Sequence, residues 1–315
     1  MTTHTLMVWG DNASRQITDA PNGKFKAIAT GGSINGLALK LDGTPILWGV
    51  GPIGPPPITD ALATEKFHAV ALGRDDAVLI RSDGTLVGIG KNVPVRSVPA
   101  GSYHAVAVAA VHAVAIAHDG ALTTWGSDSS TLPTGAVVTG LLKAPKGGPF
   151  KEVAARVLYS LALHEDGTLY FWGHEPTGTN FLDRWAATPE DPKIFHFPGE
   201  TFKAIAAGNV HALAILPDGK VTGWGDKTGG ALQPPAHVRF KAVAAGSGFS
   251  IGLETNGTLW GWGTPAKSPF AAQVWTFASQ GWTRYGDSEH YFIPDEHFKV
   301  IAAAAFHIMA ITAGP

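Results

Sequence analysis

Short apolar runs of alternating small and large residues recur along the chain, and each is cut off by glycine. Phe202-Lys203-Ala204-Ile205-Ala206-Ala207-Gly208 is one such run. His211-Ala212-Leu213-Ala214-Ile215 follows it, then Asp218-Gly219, then Val221-Thr222-Gly223-Trp224-Gly225. Period-two alternation bounded by glycine predicts β-strands, and an Asp-Gly or Asn-Gly pair between them predicts a tight hairpin, because both central residues of a type I′ turn need positive φ.

The unit recurs from end to end. Opening aromatics stand at seven positions, Phe25, Phe67, Tyr103, Phe150, Phe202, Phe240 and Phe298. Hairpin pairs stand at six, Asp42-Gly43, Asp83-Gly84, Asp119-Gly120, Asp166-Gly167, Asp218-Gly219 and Asn256-Gly257. Closing pairs again number seven, from Trp9-Gly10 to Trp262-Gly263, with Ile89-Gly90 as the variant. The mismatch lies at the ends. The unit that opens at Phe298 runs through His307-Ile308-Met309-Ala310-Ile311 and has no closing strand, whereas Leu6-Met7-Val8-Trp9-Gly10 is a closing strand without a unit. Joining them completes the last unit and removes the open sheet edges that invite aggregation. The expectation is all-β: one domain over residues 1–315, a single closed seven-bladed β-propeller whose N-terminal strand completes the C-terminal blade.

The Gly-x-x-His step of Gly208 to His211 and the Asp-Gly-x-x-x-x-Trp-Gly spacing of Asp218 to Gly225 resemble the repeat of the regulator of chromosome condensation family. The short repeats and single N-terminal closing strand look most like β-lactamase inhibitory protein II within that superfamily. The stretch from Trp224-Gly225-Asp226-Lys227 to Gly230-Ala231-Leu232-Gln233-Pro234-Pro235 has the same style of inter-blade connection. The resemblance implies a propeller scaffold that binds through its loops. It does not carry over nucleotide exchange, since the chain lacks a basic tail.

Composition narrows the classes. Hydrophobic residues make up 45% and charged residues 15%, enough for a large core. Lys and Arg number 23 against 25 Asp and Glu, a net charge of −2, so no nucleic-acid partner is expected. Cysteine is absent, which excludes disulfides, a thiol nucleophile and thiolate metal sites. The N-terminal residues do not read as a signal peptide and no apolar run is long enough to span a bilayer, so a cytoplasmic location without membrane contact is expected. Phosphate-loop, HExxH, GxSxG and EF-hand patterns are missing, and no cofactor or metal is expected.

Candidate sites lie where units depart from the repeat. Two connections are expanded, 174–201 and 264–297. They carry Trp185 in the first and Trp275, Trp282 and Tyr285 in the second, aromatics suited either to partner contact or to capping their own blades. Insertions in repeat proteins usually gather on one face. The loop after each opening strand should line one mouth of the channel. It reads Ile34-Asn35, Asp75-Asp76, Val111-His112, Leu158-Tyr159, Val210-His211, Gly248-Phe249 and Phe306-His307. The matching loops of β-lactamase inhibitory protein II are rich in aromatics that contact the enzyme. Here the first members are mostly aliphatic, so that inhibition does not carry over.

Among the second members, His112, His211 and His307 with Asp76 and Tyr159 could form an acid–base or metal site. They could equally be hydrogen-bonded residues of the repeat. Arg74 and Arg156 are read as replacing a turn glycine, a local violation that suits carboxylate or phosphate binding or a solvated loop. Three functions follow. The first is a non-catalytic module gripping a protein partner through loops on one face. The second is an enzyme or binder of a small apolar ligand at the mouth lined by Ile34, Val111, Leu158, Val210 and Phe306 above His112, His211, His307, Asp76 and Arg156. The third, a lectin, is disfavoured because the mouth is heterogeneous and the insertions are unique.

Overall fold

A computed structural model describes residues 4–12, 15–32, 35–49, 58–74, 76–90, 97–132, 134–175, 185–191, 193–264, 276–286 and 289–313. Among these residues, seven antiparallel sheets carry the repeat. Blade 1 is Phe25–Gly31, Asn35–Lys40 and Pro45–Trp48; blade 2 is Phe67–Leu72, Ala77–Arg81 and Leu86–Ile89. Blade 3 is Tyr103–Val108, His112–Ala117 and Leu122–Gly126; blade 4 is Phe150–Arg156, Tyr159–His164 and Leu169–Gly173. Blade 5 is Ala204–Ala207, His211–Ile215 and Val221–Gly225; blade 6 is Phe240–Ala245, Phe249–Glu254 and Leu259–Gly263. Blade 7 is Phe298–Ala303 and His307–Thr312, completed by Leu6–Gly10, which pairs antiparallel with its second strand from Leu6↔Ile311 to Gly10↔His307. The opening strand of each blade packs on that of the next, and the seventh packs on the first, so the sheets form a closed propeller with those strands innermost.

The opening aromatics are all buried, from 0% exposure at Phe25 to 4% at Tyr103, and each fills the core between neighbouring blades. In six blades the residue after the aromatic is a β-bulge, as between Phe25 and Ala27, so the alternation changes phase and the aromatic and the next apolar residue both face inward. The aromatic's backbone N–H donates to the hairpin glycine of the preceding blade, as from Phe67 to the Gly43 oxygen at 2.9 Å and from Phe298 to the Gly257 oxygen at 2.8 Å. Blade 7 has no Asp-Gly turn. His4 takes its place: it adopts φ 67, its N–H donates to the Thr312 oxygen, and its own oxygen accepts from Phe25 at 2.9 Å. The six hairpin pairs in the sequence are therefore matched by a seventh junction made from the two chain ends.

Closing glycines sit where no side chain fits. Gly10 has φ 115 and a Cβ added there would stand 2.5 Å from the Phe306 oxygen; Gly126 has φ 113 and would meet the Val111 oxygen at 2.6 Å. Both strain and clash arise, so Gly126→Ala is expected to lower stability by about 2 kcal/mol, measured by urea unfolding. A midpoint equal to the parent's would contradict this placement.

The expanded connections do not gather on one face in their described portions. Ile194–His196 and Ala186–Ala187 add two outer strands to blade 4, and His290–Ile293 and Thr283–Arg284 do the same for blade 6. Tyr170↔His196 and Trp260↔Phe292 are paired across these additions. A hairpin of Ser129–Thr131 and Val137–Thr139, and a short helix, Asp60–Thr64, also interrupt the connections. No helix among the described residues is long and apolar enough to cross a membrane.

Candidate functional site

The turns between opening and second strands meet around one mouth of the channel. Backbone bonds link them blade to blade: Ala110 N–H to the Val157 oxygen (3.3 Å), Asn209 to Gly246 (3.2 Å), Ser247 to Ala305 (3.1 Å) and Ala305 to Gly32 (3.1 Å). Between blades 1 and 2 and blades 2 and 3 the backbones approach so closely that a Cβ at Gly32 or Gly73 would meet the next turn's carbonyl at 2.9 or 2.7 Å. Small residues in these turns follow from that packing. Blade 4 departs from it. Arg156 occupies the slot of Gly208 and Gly246, and Val157 beside it has φ 47 and is 42% exposed. A β-branched residue in left-handed backbone is strained and uncommon.

Arg156 spans to blade 5, where its Nε donates to Asn209 Oδ1 at 2.8 Å. Burial holds its guanidinium below the usual arginine range, though arginine stays charged in proteins. Arg74, expected in a glycine slot, lies one residue beyond it: Gly73 N–H donates to the Asp76 oxygen at 2.7 Å, as Gly208 N–H does to His211 at 2.8 Å. A cavity of about 230 Å³ at this mouth is lined by both arginines with Gly32, Ala109, Asn209 and Ala305 among others. The expected aliphatic ring does not line it. Leu158 and Phe306 are buried, and Val111 and Val210 are half-buried. Leu158 and Val111 pack against Val138, Leu141 and Leu132 of the connection between blades 3 and 4. The third turn residue aims its carbonyl at the strand leaving the blade, as Val111 accepts from Ser127 and Phe306 from Asp11, so the first two residues face the channel instead. Ile34 lies outside the described residues.

The histidines sit below the turns, all at 0% exposure, and two of them bridge to the next blade. His112 Nε2 is 2.8 Å from Ser160 Oγ of blade 4, and His211 Nε2 is 2.9 Å from Ser250 Oγ of blade 6. His307 is buried in the same slot of blade 7, and neither of its ring nitrogens meets a hydrogen-bond partner. Ser250 donates its single proton to the Ala231 oxygen at 2.9 Å, so it accepts from His211, whose neutral ring then carries its proton on Nε2. Tyr159, in the same slot of blade 4, donates to the Gly208 oxygen of blade 5 at 2.7 Å. Burial depresses the pKa of all three imidazoles to about 4. Asp76 occupies the blade 2 slot, 1% exposed. These groups are spread over separate blades rather than converged on a point. Among the described residues no cluster of His, Asp or Glu could hold a metal ion.

The aromatics of the insertions divide. Trp185, 9% exposed, wedges between blades 4 and 5, with ring centroids 5.7 Å from Phe171 and 5.3 Å from Trp224. Trp282, 4% exposed, sits 5.6 Å from Trp9 and 4.9 Å from Phe277, between blades 6 and 7. Both are core residues, buried because the insertions fold back over the blade edges. Tyr285 remains 44% exposed, stacked on His237 at 4.7 Å. Trp275 lies outside the described residues. A second, polar cavity of about 690 Å³ lies on the outer flank of blade 4, where Lys143 is paired to Asp191 at 2.8 Å.

Sequence reasoning missed four residues that build this end of the channel: Ser160, Ser250, Asn209 and Val157. The two serines had a signal, since each follows an aromatic and interrupts an apolar run, Tyr159-Ser160-Leu161 and Phe249-Ser250-Ile251. Glu152 was also missed. It accepts from Ile205 N–H of blade 5 at 3.2 Å, and burial raises its pKa to about 7.

Comparison with known proteins fits this geometry. The model of the regulator of chromosome condensation (RCC1) repeat matches residues 202–230 and 240–266. No curated protein matches the chain in sequence. The fold is similar to Prp20p from Saccharomyces cerevisiae, with a TM-score of 0.72 at 16% identity over 100% of this chain and 92% of that one. It is also similar to human WBSCR16, at 0.69, 14%, 98% and 99%, and to the ectodomain of the Arabidopsis thaliana receptor kinase ACR4, at 0.61, 14%, 92% and 92%. Two units of the chain, residues 202–230 and 240–266, match the regulator of chromosome condensation repeat in sequence, and the whole chain shares the propeller fold of these structures.

Proposed function

We propose that the protein is a non-catalytic binding module, acting as one domain, that grips a protein partner through the turns at the Arg156 mouth. Val157 carries this reading. A strained, β-branched residue exposes its side chain at a blade whose turn carries Arg156 in place of the usual glycine or alanine. Strain of this kind collects at binding sites. The polar groups that would serve an enzyme are instead spread among separate latches. The structure of Prp20p was described with its binding properties to Gsp1p and histones, which supports protein binding as a use of this scaffold.

Val157→Asn tests the reading, since asparagine tolerates left-handed backbone better than valine and the variant should stay folded. Quantitative capture from the source cell's extract compares wild type, Val157→Asn and the rim variant Tyr285→Ala. The expected result is a protein held by wild type and Tyr285→Ala and weakened about tenfold for Val157→Asn, the worth of burying one such side chain. Equal retention by all three, or retention of a small molecule alone, would overturn it.

A further inference from the structure

The wall of the mouth contains a charge that the fold leaves without a counter-charge. Arg156 ends the opening strand of blade 4, and only its Nε is matched, by Asn209. Its Nη2 is buried and meets no protein acceptor, and no ion pair among the described residues includes it. Its field reaches far enough to disfavour protonation of His307. A cation held largely out of water without a counter-charge is unfavourable. Glycine, present at this slot in blades 1, 2, 5 and 6, would avoid that cost.

The surroundings suit a ligand. Arg74, a second cation, lines the same cavity, and small residues leave about 230 Å³ of space there. That is below the roughly 300–1,000 Å³ of pockets for drug-sized molecules, so the space fits a single small group. The bond to Asn209 fixes the plane of the guanidinium, and a planar donor group held in one orientation is the arrangement that recognises planar or tetrahedral oxyanions.

We propose that the channel mouth binds one oxyanion, a carboxylate or a phosphate, with the guanidinium of Arg156 as its principal donor and Arg74 as the second cation. The site does not depend on a protein partner docking at the same face. A partner's carboxylate and a free anion would use the same chemistry.

Thermal unfolding of the full chain is followed with sodium acetate, with inorganic phosphate and with sodium chloride at matched ionic strength. A site filled about tenfold above its dissociation constant shifts the folding equilibrium about elevenfold. The expected result is a rise in melting temperature over chloride with at least one oxyanion, which disappears in Arg156→Gln and shrinks in Arg74→Gln. A rise with acetate alone assigns a carboxylate, with phosphate alone a phosphate, and with both a general oxyanion site. No rise over chloride, or the same rise in Arg156→Gln, overturns the proposal. Should Arg156→Gln fail to fold, line broadening of the acetate and phosphate signals by wild type and Arg156→Lys gives the same decision: broadening by wild type that weakens in the lysine variant supports the site, and equal or absent broadening rejects it.

Discussion

Acidification from pH 6.5 to about 4 is expected to remove most of the protein's stability. His112, His211 and His307 are buried, neutral side chains whose folded pKa values, about 4, lie below the ordinary 6.5. In that window the unfolded chain binds more protons than the folded one, so stability rises with pH through it and falls on acidification. Each shift corresponds to roughly 3 kcal/mol, and three approach the ~5–15 kcal/mol that holds a typical domain together. Glu152 acts in the opposite sense. Its folded pKa, about 7, exceeds the ordinary 4.5, so its contribution is present at low pH and is lost as pH rises between those values. One group against three leaves the net slope with the histidines. Urea unfolding across the window measures it directly. His211→Gln should flatten the slope by about one third of the histidine contribution, and Glu152→Gln should steepen it. A pH-independent midpoint would show that the histidines are not buried and neutral.

Trp9→Ala is expected to destabilise by about 3–5 kcal/mol, the range for emptying a buried large aromatic site. Trp9 lies on the N-terminal strand and reaches Trp282 at 5.6 Å and Phe298 at 5.9 Å, both edge-on. Removing it therefore weakens the junction between the chain ends as well as the core between blades 6 and 7. Thermal melting gives the loss, and hydrogen exchange locates it, with faster exchange expected first in Phe298–Ala303 and Phe25–Gly31. Tyr285→Ala, an exposed position, should stay within about 0.5 kcal/mol of wild type. Equal melting of Trp9→Ala and wild type would mean that the ring does not depend on this strand.

The scaffold was legible because its signals are local and repeated. Phe202, Asp218-Gly219 and Trp224-Gly225 each report a turn or an alternation phase within a few residues. The orphan strand Leu6–Gly10 was legible for a related reason, since its pattern matches a slot left empty at the other end of the chain. The site was less legible because it is made across blades. Nothing adjacent in sequence joins Arg156 to Asn209, His112 to Ser160 or His211 to Ser250, separations of 53, 48 and 39 residues. The second members of the mouth pairs stand at or beside the start of the second strands, but their direction depends on the turn, which points them into the inter-blade core. Trp185 and Trp282 show the same limit: a tryptophan in an insertion reads alike whether the insertion projects or folds back as an outer strand.

The central claim is that the Arg156 mouth is the recognition face and the rest of the propeller is scaffold. Amide hydrogen exchange of the full chain with and without its captured partner tests it most directly. The account predicts new protection at Gly73–Arg74, Ala109–Ala110, Arg156–Val157, Asn209 and Ala305, with the outer strands unchanged. Protection confined to Ile194–His196, His290–Ile293 and the segment around Tyr285 would contradict it and place recognition on the rim.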